Sequence, residues 1–195
     1  MKRKNDNNNN TTNDDKCDIQ PIQIGLKDTS KSVIMSRTWA MPSPNTFSIK
    51  PIKELLSRYL NSDMEVIDPF ARDSKWGTIT NDINPKTSAK YHMDAVEFLD
   101  MLIKQNVKAD ALVFDPPYSP RQISECYREL GMKVTMQHTQ NAVLNKNCKD
   151  KISQLLKSGG IAISFAWNSA GIGKTRGFEI IEILLVAHGG VHNGR

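Results

Sequence analysis

The sequence predicts an α/β fold built on a doubly wound, mostly parallel sheet, and three observations carry that prediction. Short apolar runs of strand length recur along the 195 residues, segments with helical spacing lie between them, and an acid stands just past one run after another. Those acids are Asp68, Asp82, Asp94 and Asp115. Their order and spacing suit successive strand–helix units. In open sheets of this kind ligands bind beyond the carboxyl ends of the strands, so side chains placed there are the first candidates for chemistry.

Taken in chain order, residues 1–32 are expected to form a poorly ordered tail. The run Asn7–Asn10 with its threonine and charged neighbours offers little apolar surface to bury. One domain is expected over 33–195. Met41–Lys50 reads as loop, and Pro51 then opens a helix with Ile52, Leu55, Leu56, Tyr59 and Leu60 on one face. Met64–Ile67 is a short strand running into Asp68-Pro69-Phe70-Ala71-Arg72, and Thr78–Asp82 is a strand ending in an acid. Tyr91–Ala95 leads into a helix for which Asp94 is a fitting N-cap.

Residues 111–114, Ala-Leu-Val-Phe, form a buried strand that Asp115-Pro116-Pro117-Tyr118 brings to a stop. Neither proline donates a ladder hydrogen bond, and each restricts the residue before it. Helical spacing returns at 122–130 and 140–157, on either side of a loop at 131–139. Gly160–Trp167 is the next buried strand, Asn168–Arg176 a loop rich in small residues, and Phe178–Ala187 a last strand. Gly189-Gly190 reads as the turn of a final antiparallel hairpin that the sequence leaves incomplete. An uncovered strand edge is expected to lower stability and to favour self-association.

A hydrophobic share of 38% suits one domain with its own core. The net charge of +5 is unevenly placed, because 119–158 hold Arg121, Arg128, Lys133, Lys146, Lys149, Lys151 and Lys157 against Glu125, Glu129 and Asp150. A basic segment after Tyr118 suits a polyanionic partner, since neutralised phosphates supply much of non-specific affinity. Helices with solvated basic faces would carry the same composition. Cys17, Cys126 and Cys148 are scattered without metal-binding spacing, which suits a reducing compartment and no metal. With no signal peptide and no long apolar span, a cytoplasmic protein without membrane contact is expected. Gly171-Ile172-Gly173-Lys174-Thr175 lacks the leading spacing of a phosphate-cradling loop.

Asp115-Pro116-Pro117-Tyr118 delivers one carboxylate, one stiff backbone and one aromatic ring at a strand end. The tetrapeptide resembles the catalytic motif of the S-adenosylmethionine-dependent amino-methyltransferases, of the DNA N6-adenine type. The resemblance spans roughly residues 45–193 and implies a class I (Rossmann-like) methyltransferase fold. It also implies S-adenosylmethionine as cofactor, DNA as partner and methylation of the exocyclic N6 amine of adenine. That amine is a poor nucleophile because its lone pair is delocalised into the ring. The Asp115 carboxylate and the Pro116 carbonyl, aimed at its hydrogens, would draw the nitrogen toward tetrahedral geometry. Pro117 keeps the carbonyl pointed and Tyr118 offers a face for the base, so the gain is one of positioning and preorganised electrostatics.

Asp68-Pro69-Phe70-Ala71 resembles the family's cofactor-binding first strand and loop, with Arg72 where glycine is common. The resemblance implies that Asp82 binds the ribose hydroxyls and that Asp94 lies near the cofactor adenine, a role compatible with capping. Phe47, in Thr46–Pro51, packs on the methionine end of the cofactor or in the core. For the substrate, Ser119, Arg121 and Gln122 with the 131–139 loop would meet the target strand. Trp167 would form the second face of a base sandwich, or belong to the core. His188 and His192 lie where the family places a substrate loop. With no separate recognition domain, a short or relaxed target is expected. Two other functions stay open: methylation of a base amine in RNA, and a catalytically silent nucleic-acid-binding subunit with the same fold.

Overall fold

The structure, a computed structural model, describes residues 32–43, 45–117, 119–131 and 141–187. In chain order they form β1 (Ile34–Trp39), α1 (Lys50–Tyr59), β2 (Val66–Asp68), β3 (Ile79–Thr80), α2 (Ala95–Lys104), β4 (Ala109–Phe114), α3 (Pro120–Glu129), α4 (Asn141–Leu155), β5 (Leu156–Ser164) and β6 (Glu182–Ala187). Single 3₁₀ turns lie at Thr46–Ser48 and Lys174–Arg176. Pro51 sits in the first turn of α1, where its missing N–H costs nothing. Asp94 caps α2, accepting the N–H groups of Val96 at 2.8 Å and Glu97 at 3.3 Å. A cap of this kind contributes about 1 kcal/mol.

Four strands form one parallel sheet in the order β3-β2-β4-β5. Tyr91 extends the β3 side by an isolated parallel bridge to Asn81. From β2 the chain first builds outward through β3, then crosses back to lay β4 on the other side of β2. The strand order therefore reverses between β2 and β4, and a crevice opens between their carboxyl ends.

Both faces of the sheet are covered. On one, Phe98, Leu99 and Leu102 of α2 and Cys148, Ile152 and Leu155 of α4 pack on Ile67, Leu112 and Phe114. On the other, Ile52, Leu56 and Leu60 pack on Val66, Ala111, Val113 and Ile163. Alternate residues of β4 thus point to opposite helical layers, which is why its sequence is an unbroken apolar run. Each large side chain buried in this way contributes about 1.5–3 kcal/mol. The result is an α/β fold with parallel strands, compatible with a Rossmann-like arrangement.

The chain differs from the expected layout at its ends. Residues 34–39, which precede the span of the resemblance, form β1 and pair in parallel with β6, from Ile34 opposite Glu182 to Trp39 opposite Ala187. No antiparallel partner of β6 is seen among the described residues, and Gly189-Gly190 lies outside them. One edge of β6 is therefore paired rather than bare. The last strand begins at Glu182 and not at Phe178. β5 runs from Leu156 to Ser164, because its pairing with β4 starts at Ala109 opposite Leu156 and stops at Phe114 opposite Ser164. Trp167 lies beyond the strand.

Candidate active site

At the reversal point, β4 is followed by Asp115-Pro116-Pro117, and β2 ends at Asp68 and is followed by Pro69-Phe70-Ala71. A hollow of about 200 Å³ is lined by Asn45, Thr46, Phe47, Phe70, Ala71, Arg72, Asp73, Ser74 and Asp115. A second hollow of about 280 Å³, which shares Asn45, Phe47, Asp73 and Ser74 with the first, reaches on to Lys53, Lys75 and Trp76. Phe47 is buried, meets Phe165 edge-on with ring centres 5.4 Å apart, and lines both hollows. Packing and lining are therefore one role for this residue. Phe70 sits edge-on against Phe114 at 5.8 Å.

Asp68 is fully buried. Its Oδ1 accepts the Phe70 N–H at 3.1 Å, and its Oδ2 has no hydrogen-bond partner among the described residues. Burial pushes its carboxyl up to about 8; the Phe70 N–H opposes this, and the negative charges of Asp115 and Asp82 add to it. Two of the other acids picked out along the sequence, Asp115 and Asp82, thus act on Asp68 through space. Gly77 lets the chain pass beneath: a Cβ there would lie 2.8 Å from both Asp68 Cβ and Thr80 Cγ2.

Asp82 takes the Arg72 N–H on Oδ2 at 3.1 Å and the Asn84 N–H on Oδ1 at 2.8 Å. Each oxygen keeps a lone pair for a further donor. Arg72 stands at φ 49°, the left-handed region that glycine enters freely. Asn81 is a site residue that sequence reasoning misses. It is buried, donates from Nδ2 to the carbonyls of Pro69 at 3.2 Å and Met93 at 3.0 Å, and accepts the Met93 N–H at 3.1 Å. One amide therefore ties the loop after β2 to the loop before α2. The signal was a polar residue, Asn81, standing directly before the acid at the end of a strand pattern. Asn45, within a segment that reads only as loop, is a second such residue. Its Oδ1 accepts the Phe47 N–H at 3.1 Å and sets the 3₁₀ turn that carries Phe47 to the hollow.

Pro116 is buried, and Pro117 and Ser119 are half-buried at the start of α3, with Arg121 exposed on its first turn. Asp94 serves α2 as its cap. Gln122 lies in α3. Trp167 lines neither hollow and is 90% exposed, so it belongs to no core. Tyr118, His188, His192 and the 132–139 loop lie outside the described residues.

Of the seven basic side chains of 119–158, Arg128 donates to Ser124 Oγ at 2.9 Å, and four more are engaged within the fold. Lys146 pairs with Asp150 at 2.7 Å, Lys151 with Asp100 at 2.5 Å and Lys157 with Asp110 at 2.7 Å. Lys149 donates to the Gly171 carbonyl at 2.6 Å. Asp110 lies near the start of β4, at the end of the sheet away from Asp115, so the charge of Lys157 is not at the hollow.

Among the described residues no group of three or more His, Cys, Asp or Glu could hold a metal ion. Cys148 is buried in the core, and burial raises its thiol to about 12. No described helix is long and apolar enough to cross a membrane. No protein-family model matches the chain, and no curated protein matches it.

Proposed function

We propose that this chain is an S-adenosylmethionine-dependent methyltransferase of class I architecture that modifies the exocyclic N6 amine of adenine in DNA. The observation that supports it best is the hollow where strand order reverses, whose lining includes Phe47, Phe70, Ala71 and Asp115. Its residues fit the cofactor. Asp68 Oδ2 is a buried polar atom with no hydrogen-bond partner among the described residues, a condition suited to a ligand that brings a polar group to it. Asp82 has lone pairs left for ribose hydroxyls, and Phe47 and Phe70 offer apolar walls. Bound S-adenosylmethionine supplies an electrophilic methyl group on sulfur.

The protein's own work is positioning. The Asp115 carboxylate and the Pro116 carbonyl each accept one hydrogen of the adenine amine, which turns the nitrogen lone pair out of conjugation. Two prolines in succession hold that carbonyl still. Extruding a base from a duplex costs a few kcal/mol, offset by backbone contacts and stacking.

The test is methyl transfer from labelled S-adenosylmethionine to unmethylated duplex DNA, single-stranded DNA and total RNA, followed by nucleoside digestion and mass spectrometry. The expected product is N6-methyladenine in DNA, reduced at least about a hundredfold by Asp115→Ala. Label confined to RNA would reassign the substrate. Absence of transfer to every substrate, with nucleic-acid binding intact, would favour a silent binding subunit.

A further inference from the structure

The segment joining β5 to β6 is anchored at Phe165, Gly171, Ile172 and Arg176, and residues 166–170 between the first two anchors are exposed. It leaves the sheet with the Phe165 N–H bonded to the Phe114 carbonyl at 2.9 Å, directly beside Asp115. Farther on, Ile172 plugs into the core beneath α2 and α4. Lys149 holds the Gly171 carbonyl at 2.6 Å, and Arg176 bonds Asp150 at 2.7 Å and the Ile172 carbonyl at 3.1 Å. Between these anchors Asn168 accepts the Ala170 N–H at 3.0 Å and shapes the turn. What this frame holds out into solvent is Trp167, at 90% exposure.

An indole is the largest apolar side chain, and its flat face gives a large contact area to a partner. Trp167 also lies close to the chemistry. Paired strands run about 4.8 Å apart and two residues span at most about 7 Å. The Trp167 backbone is therefore within roughly 12 Å of that of Asp115. A stacked strand advances about 3.4 Å per nucleotide, so this distance covers only the nearest few nucleotides. Exposed Lys174 stands on the same segment.

We infer that Trp167 is an outer stacking platform for an unpaired base of the nucleic acid, adjacent to the base held at Asp115 and not part of its pocket. This rests on the proposed nucleic-acid substrate and adds a contact that reads no sequence, because every base has a π-face. Such stacking also compensates for a basic segment whose charges are largely engaged within the fold.

The test is anisotropy of a fluorescein-labelled single-stranded oligodeoxynucleotide of mixed sequence, titrated with wild type, Trp167→Ala and Trp167→Phe over a range of salt. Loss of one stacked base, about 1–3 kcal/mol, corresponds to a roughly 5- to 150-fold weaker Kd for Trp167→Ala. Trp167→Phe should keep most of the affinity, and the salt slope should not change, since no phosphate contact is removed. Thermal midpoints of both variants should match wild type, as expected at an exposed position. Trp167→Ala binding within twofold of wild type overturns the inference, as does a Phe variant as weak as the Ala variant. If the protein transfers no methyl group yet Trp167→Ala still loses binding, the platform stands and the proposed reaction falls. If it methylates DNA with the same KM in both variants, the reaction stands and the platform falls.

Discussion

The Arg72 N–H donates to Asp82 Oδ2 at 3.1 Å while Arg72 itself stands at φ 49°. The loop after β2 reaches the acid after β3 only by turning through a left-handed residue. That geometry explains why glycine suits this position and what an arginine there costs. A non-glycine residue in this region carries a penalty of about 1 kcal/mol or more.

Two variants separate that penalty from the side chain's own contacts. Arg72→Ala and Arg72→Gly both remove the guanidinium, but only glycine relaxes the backbone. The glycine variant loses roughly 0.5–1 kcal/mol through its freer unfolded chain, so its net advantage over alanine is about 0.5–1 kcal/mol. In a domain of this size it should appear as a thermal midpoint about 1–4 °C higher for Arg72→Gly than for Arg72→Ala. Equal midpoints would show that the loop adjusts without strain.

Asp68 makes stability depend on pH. Its folded carboxyl is raised to about 8 and so holds a proton that the unfolded chain releases near 4. Between those values the folded state binds more protons, and stability falls as pH rises, by up to about 1.4 kcal/mol per pH unit from this group. The contribution is complete below about pH 4 and gone above about pH 8. Asp68→Asn, which mimics the protonated form, should match wild type near pH 4 and melt at higher temperature at about pH 8.5. Thermal melts across this range test it, and parallel curves would refute it.

Gly77→Ala should destabilise the fold by about 1–3 kcal/mol in urea titration. The added methyl meets Asp68 Cβ and Thr80 Cγ2 at 2.8 Å, and both neighbours belong to short, buried strands with no room to retreat. An unchanged midpoint would mean that the β2–β3 turn yields.

Glu182 joins β6 to α1, accepting the Tyr59 hydroxyl at 2.7 Å and pairing with Arg58. The hydrogen bond from Tyr59 to Glu182 holds the phenol above its usual pKa of 10. Glu182→Ala should lower that pKa toward about 10 by ultraviolet titration. It should also cost about 1–3 kcal/mol, because a half-buried hydroxyl loses its acceptor. A phenol that still titrates high would place the cause elsewhere.

Much was legible from residue order alone. The run Ala111–Phe114, ended by two prolines, specified a buried strand; Pro51 specified a helix start, and Asp94 a cap. These are local or periodic signals, carried by residues a few positions apart. The acids at 68, 82 and 115 were recognisable for the same reason, since each directly follows its strand or strand pattern.

Tertiary structure alone decided the rest, because it depends on partners far apart in the chain. Nothing in Ile34–Trp39 announces that it will pair with Glu182–Ala187, nearly the length of the domain away. Asn81 is an ordinary polar residue until its amide meets Pro69 and Met93. Trp167 had the composition of a core residue and became an exposed one because β5 stops at Ser164. The basic segment reads as a patch in sequence; folding set Asp100 beside Lys151 and Asp110 beside Lys157. Local chemistry determined which groups stand at the strand ends. Long-range packing determined which of them face one another, and so which acquire a perturbed pKa, a partner or an open surface.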